Sequence, residues 1–381
     1  MIPVFDAHLD LAWNALSFNR DLRCGIEELR RREAHMKDEA CRGHCTTSLP
    51  ELAHAGVAVC VATLLARSGP GQPLKERYNR TDLDHADPSI AYAVARGQLA
   101  YYQLLEQQGY LRFIRTAGAL EAHWRQWCKA RAEAEPAPIG LILSMEGTDP
   151  IVSPEQAEAW WEDGLRAAGL AHYGRSQHAC GTGTDGPLSE QGVQLLARFG
   201  RLGMALDVTH LCDRSMAQAL DLFEGPVLAS HHNCRALVPH ERQLTDEQIG
   251  RLIERDAVIG TALDAWMLFP GWQRGQSSPR SVGLEAVAEH IDHVCQLAGN
   301  CHHAAIGSDL DGGFGSEQTP HNVKSIADLQ KLAQILSRLG YSRVDVESIF
   351  HGNWLRFFSR ALPGEENRET KPGSRRIENE S

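Results

Sequence analysis

The chain has 381 residues, 43% hydrophobic and 23% charged, the make-up of a globular protein with a sizeable core in one to three domains. A formal net charge of −11 repels nucleic acid and anionic membrane surfaces, which excludes a basic-groove binder. No window of about twenty uninterrupted apolar residues suggests a transmembrane helix. "MIPVFDAHLD" lacks the basic start and long apolar stretch of a signal peptide, so a cytoplasmic protein is expected.

In chain order, short apolar runs alternate with helical patterns. The first run, 3–10 (PVFDAHLD), places His8 and Asp10 two apart. In a strand, positions i and i+2 face one side, which suits a metal pair or a buried hydrogen-bonded pair. Further strands are expected at 56–64 (GVAVCVATL), 139–146 (IGLILSME), 166–172 (RAAGLAH), 204–210 (MALDVTH), 226–232 (PVLASHH), 257–263 (AVIGTAL) and 303–309 (HAAIGSD). Helices are expected near 90–109, 154–164, 188–202, 212–222, 245–255, 283–298, 324–338 and 343–361, with Ser153, Thr245 and Ser342 as caps and Gly203 and Gly340 as stops.

Eight strands, most followed by a helix, predict an α/β protein built as a (β/α)8 barrel of the TIM type, one catalytic domain over 1–362. The first run has no Gly-rich turn after it, so a dinucleotide fingerprint is absent. Excess length falls at 11–54 and 66–89; the second insertion, rich in Gly, Pro and charge, is either a lid or a solvated loop. The polar tail 363–381 reads as disordered. Ten cysteines are scattered, and "CRGHC" (Cys41, His44, Cys45) has no matching second pair, so free thiols in a reducing compartment are expected rather than a structural zinc.

A barrel places its chemistry at the C-terminal ends of its strands. Six of the eight runs end there in His, Asp or Glu: His8 and Asp10, Glu146, His172, His210, His231 with His232, and Asp309 with Asp311. One such residue is ordinary as a helix cap or loop start; six on one rim point to a metal-dependent site. Imidazoles and carboxylates without a clustered thiolate suit zinc, manganese, iron or nickel. There are more candidates than one catalytic zinc can use, because that ion keeps an open position. Two metals sharing a carboxylate would use most of them, and Glu146, with two oxygens, is the natural bridge.

These phrases together resemble the renal (membrane) dipeptidase family of zinc metallopeptidases. "FDAHLD", "SMEG", "LGMALDVTH", "ASH" and "IGSDLDGG" occur in the family's order, with "NCRALVPHERQLTDEQI" and "GNWLRFF" also similar, over roughly residues 3–360. The resemblance implies a dinuclear zinc hydrolase that cleaves the amide bond of a small peptide, a dipeptide or dipeptide-like substrate with a free C-terminal carboxylate. His8 and Asp10 would bind one zinc and His210 and His231 the other, with Glu146 bridging. Asp309 would exchange protons with the attacking water and the leaving amine. His172 would polarise the scissile carbonyl, and Arg242 would hold the substrate carboxylate as a charge-assisted fork.

Rival readings stay open at this point. Arg242 could be a surface cation beside a helix, and His172 a packed core imidazole. His232 should face away from His231 and act in support. Asp311 reads as a cap or loop residue; His178, His302, His303 and His351 read as surface or capping residues. The stretch "GTALDAWMLFPGW" lacks the aromatic-and-amide run of the mammalian members, so Leu263, Asp264, Trp266 and Trp272 would reshape one side of the pocket. An amidohydrolase of N-acyl amino acids and a catalytically silent metal-binding barrel are the alternatives. Barrel enzymes often form homodimers, although no patch for one can be read here.

Overall fold

The computed structural model describes residues 1–68 and 83–364. Eight parallel strands lie at the expected runs: β1 (Val4–Leu9), β2 (Val57–Leu65), β3 (Ile139–Glu146), β4 (Leu165–Gly169), β5 (Ala205–Asp207), β6 (Val227–Leu228), β7 (Ile259–Thr261) and β8 (Ala304–Ile306). β1 to β6 are neighbours in chain order. Ala229 bridges to Ile259, and β7 pairs with β8 from Ile259↔Ala304. The ring closes where the Ser308 backbone N–H donates to Asp6 Oδ1 at 2.8 Å. The fold is a (β/α)8 barrel.

Local sequence explains why the two halves of the ring differ. All nine residues of β2 (VAVCVATLL) are buried, the near-continuous apolar run that a parallel strand covered on both faces requires. β5 to β8 are only two or three residues long, and polar side chains extend their pairing. Asp207 Oδ1 accepts from the backbone N–H of Thr209 at 3.0 Å and of Ser230 at 3.1 Å. Asn233 Oδ1 accepts from Ala262 N–H at 2.9 Å. Gly260 and Gly307 let the strands close up: a Cβ at either would lie 1.9 or 1.7 Å from the Ser230 carbonyl oxygen. Trp354, Phe357 and Phe358, on the helix Asn353–Ala361, pack with Phe5 and Ala7 of β1 in one apolar cluster.

The insertion after β1 folds into the helices Leu11–Phe18, Ile26–Glu33 and Leu49–Ala55. It is tied to the loop after β8 by Asp311, whose carboxylate accepts from the N–H and hydroxyl of both Thr46 and Thr47 at 2.8–3.0 Å. Arg20, buried beneath, donates to Glu33 at 2.8 and 3.0 Å and to Asn14 at 2.7 Å. Asp311 is thus a structural clamp, in line with its expected loop role.

After β2, Arg67–Ser68 pairs with Asp84–His85. Residues 69–82 lie outside the described residues, and with them the centre of the expected lid or loop; so does the tail from 365 onward. Between β2 and β3 the expectation was one helix. The structure has two, Pro88–Gln107 and Ala117–Ala132, separated by a short strand Leu111–Phe113 that pairs with the start of β3. The second helix buries only Leu120, His123 and Trp127, too sparse a stripe to stand out as a periodic pattern. Cys41 and Cys45 are buried in two different apolar clusters while His44 is exposed, and all ten cysteines are free. Among the described residues no helix is long and apolar enough to cross a membrane.

Candidate active site

The strand ends bring the predicted residues to one point. Glu146, last residue of β3, is central: its Oε2 lies 3.6 Å from His8 Nε2, and its Oε1 lies 3.1 Å from His210 Nε2 and 3.3 Å from His231 Nε2. His8 Nε2 also lies 3.7 Å from Asp10 Oδ2 and 3.8 Å from Asp309 Oδ1. His172 Nε2 lies 3.6 Å from Glu146 Oε1. Three groups of possible ligands result, His8–Glu146–His231, Glu146–His172–His210 and His8–Asp10–Asp309, the first two sharing Glu146.

The backbone and its neighbours aim these groups. The β1–β2 register shifts between Asp6 and Leu9, an irregularity of the kind that redirects side chains beside a site, and His8 sits within it. His210 and Asp309 have left-handed backbones, with φ of 68° and 57°; such conformations are costly for non-glycine residues and cluster at functional sites. Thr182 Oγ1 lies 3.2 Å from His210 Nδ1 and Ser230 Oγ 3.0 Å from His231 Nδ1, leaving both Nε2 atoms to point inward. The Thr63 hydroxyl donates to Asp10. Gly312 leaves room for Asp309: a Cβ there would fall 1.8 Å from Asp309 Oδ1.

Electrostatics shows what the cluster is suited to hold. Burial pushes Asp309 well above the usual carboxylate range, with Asp10 and Glu146 adding to the shift and His8 opposing it. Burial raises Glu146 too. Burial depresses His172, His210 and His231, helped by Arg242 in each case. His8 is the exception: burial opposes its charge, but Glu146 and Asp10 outweigh it and raise the imidazole. Its buried Nε2 has no hydrogen-bond partner among the described residues. Imidazoles held mostly neutral, beside buried and mutually repelling carboxylates, are a donor set that divalent cations fit.

A cavity of about 350 Å³ opens over the cluster, lined among others by Asp10, Arg67, Glu146, His172, Arg242 and Asp309. Arg242 is 2% exposed, so it is not a surface cation. Its Nη2 donates to the His231 carbonyl at 2.9 Å, while Nε and Nη1 are buried without a partner among the described residues. His172 lines the cavity instead of packing in the core. Arg67 was not foreseen: its Nη1 lies 3.0 Å from His172 Nδ1 and its Nη2 donates to Asp84 at 2.8 Å. A guanidinium can only donate, so His172 Nδ1 is the acceptor and the ring proton is carried on Nε2, toward the cavity.

Other expectations need correction. His178 is fully buried beside Thr148 Oγ1 at 2.9 Å, and His303 is buried with Nδ1 2.8 Å from the Ala257 carbonyl. His351 is half-buried, 3.0 Å from the Pro3 carbonyl. None of the three is a surface residue, because each meets a carbonyl or hydroxyl that is distant in sequence; His302 is exposed as expected. His232 is buried, with both ring nitrogens unpartnered among the described residues. Leu263 and Trp272 are buried and do not line the cavity, whereas Asp264 and Trp266 do.

An eight-stranded barrel with buried carboxylates and imidazoles at its C-terminal rim is the arrangement of TIM-barrel proteins that hold metal ions at that rim. Residues 1–371 match the model of the membrane dipeptidase family, peptidase family M19, and the chain belongs to that family. It is similar to the dipeptidase tcpJ of Claviceps purpurea, 29% identical over 200 residues, covering 51% of this chain and 44% of that protein. The dipeptidase aclJ of Aspergillus oryzae is also 29% identical, covering 58% and 51%; the chain thus spans about half the length of these curated relatives. Among solved structures, a metallopeptidase called dipeptidase AC superposes with a TM-score of 0.73 at 24% identity, covering 95% of this chain and 99% of its own. A Rhodobacter sphaeroides metallopeptidase, liganded with a phosphinate mimic of the dipeptide L-Ala-D-Ala, gives 0.71 at 23%, covering 94% and 99%.

Proposed function

We propose that this chain is a dinuclear zinc dipeptidase that cleaves the amide bond of small peptides with a free C-terminal carboxylate. The observation that carries the reading is the split presentation of Glu146. One of its oxygens faces His8, beside Asp10, and the other faces His210 and His231. That suits a bridging carboxylate between one ion held by His8 and Asp10 and a second held by His210 and His231. Such ions, when bound, supply Lewis acidity that eases deprotonation of a water and stabilises charge on the carbonyl oxygen.

The chain's own residues supply the rest. Arg242, which lines the cavity, binds the substrate carboxylate through its guanidinium, which fixes the peptide in the cavity. His172, its ring proton set on Nε2 by Arg67, donates to the scissile carbonyl oxygen and stabilises the oxyanion. Asp309 accepts the proton of the attacking water and returns it to the departing amine nitrogen. The free thiols fit a reducing compartment such as the cytoplasm.

The test is a turnover panel on zinc-reconstituted protein, with dipeptides that carry L- or D-residues at the C-terminal position beside N-acyl amino acids, and metal content measured on the same sample. Dipeptide hydrolysis with two ions per chain is expected. Exclusive turnover of N-acyl amino acids, or full activity at one ion per chain, refutes the reading.

A further inference from the structure

On the β7 side of the cavity stands a carboxylate with no part in the steps above. Asp264 follows β7 in "TALDAW", is 7% exposed and lines the same cavity as Arg242 and Asp309. Gln318 Nε2 donates to its Oδ1 at 2.7 Å, which fixes its orientation. Among the described residues no cationic nitrogen pairs with it. Arg274 acts on it only from a distance and is itself engaged by Glu317 at 3.1 Å and the Gly313 carbonyl at 3.0 Å. Burying a carboxylate without a counter-charge is costly. Burial raises this one to about 7, against hydrogen bonding from Gln318. Asp264 is too far in sequence from the ligands to be part of their motifs, and it belongs to none of the ligand groups. Trp266 lines the same wall and also hydrogen-bonds to Asp264, through its backbone and its side chain, which helps hold the carboxylate in place.

We propose that Asp264, oriented by Gln318, is the subsite for a positively charged nitrogen of the substrate. The cavity then carries two opposite anchors, Arg242 for a carboxylate and Asp264 for an ammonium. Together they select charged peptides over N-acylated analogues that lack the cation. This rests on the dipeptidase reading and narrows it. The ammonium has two sources, the α-amine of the N-terminal residue or a basic side chain such as lysine.

Three substrates separate the possibilities: Ala-Ala, with an α-amine; N-formyl-Ala-Ala, with no cation; and N-formyl-Lys-Ala, with a side-chain ammonium only. The readout is the ratio of kcat/KM for each cationic peptide to that for N-formyl-Ala-Ala. A ratio does not depend on how much of a variant is folded. The wild-type ratio for one of the two cationic peptides is expected to be roughly tenfold or more, the effect of one charged hydrogen bond; the favoured peptide identifies the nitrogen. Asp264→Asn, nearly isosteric, should collapse that ratio towards one, and Gln318→Met, which removes the orienting amide, should lower it. Wild-type ratios of one for both peptides, or a ratio unchanged in Asp264→Asn, overturn the inference alone. Failure to hydrolyse any of the three overturns the dipeptidase reading, and the inference with it.

Discussion

Replacing Arg242 with methionine keeps a buried unbranched stem and removes the guanidinium. The structure separates what this takes from the protein and what it takes from the substrate. Within the protein, two contacts of Nη2 are lost, to the His231 carbonyl at 2.9 Å and to His210 Nε2 at 3.3 Å. On the substrate side, the cavity loses the guanidinium that receives a carboxylate in the proposed reading. A hydrogen bond to a charged group contributes about 1.5–3 kcal/mol. At about 1.36 kcal/mol per decade, that is roughly a 10- to 160-fold loss in kcat/KM. The carboxylate lies away from the scissile bond and is held equally in ground and transition states, so the loss should appear mainly as a raised KM. The assay is steady-state kinetics on a dipeptide and on its C-terminal amide, with metal content measured on each preparation. Removing the Arg242 charge also releases its pressure on His172, His210 and His231, but that change acts on both substrates alike. The acid-to-amide preference should therefore fall while the amide changes less. An equal loss on both substrates, or an unchanged kcat/KM for the acid, refutes the fork.

Asp309→Asn should keep both metals and lose at least the 10²–10⁴-fold that general acid–base assistance typically supplies; loss of a metal in the same sample would make Asp309 a ligand, and retained activity would remove its proton role. Gly312→Ala should displace the Asp309 carboxylate, since the new Cβ would fall 1.8 Å from Oδ1. The expected result is a fall in kcat with near-native metal content, and full activity would show that the loop yields. Asp311→Ala strips four hydrogen bonds from Thr46 and Thr47 and weakens the field on buried Arg20, 3.8 Å away. A loss of about 3–5 kcal/mol in urea unfolding is expected, and a loss below about 1 kcal/mol would deny the clamp.

The eight strands were legible because a parallel strand covered on both faces is apolar almost throughout, as β2 and β3 are. The His, Asp or Glu at the end of six of the runs then marks the rim, which brought out His8, Glu146, His172, His210, His231 and Asp309 together. What escaped was decided by contacts between distant segments. Arg67 stands in "LLARSG" with nothing local to distinguish it, and its meaning comes from His172, 105 residues on. His178 and His303 looked like surface residues because their partners, Thr148 and the Ala257 carbonyl, lie 30 and 46 residues away. The strand Leu111–Phe113 exists because β3 offers it an edge, and three residues carry too little pattern to announce it. Asp264 was recognised as a departure in the pocket wall, but its lack of a counter-charge needed the neighbours in place.

The seam between β1 and β8 has a consequence for how the molecule is made. Asp6 and Ser308 meet across 302 residues, and the same closure brings His8 within 3.8 Å of Asp309. During synthesis His8 and Asp10 emerge early, yet their companions from β5, β6 and β8 are still untranslated. Long-range closures of this kind form slowly, because chain entropy must be given up before the contacts that reward it exist. A nascent chain released before β8 therefore holds stray ligands and no finished pocket. On the two-ion reading proposed above, secure metal uptake would be a late event, following completion of the last strand, and the captured ions would favour the closed ring over the open chain.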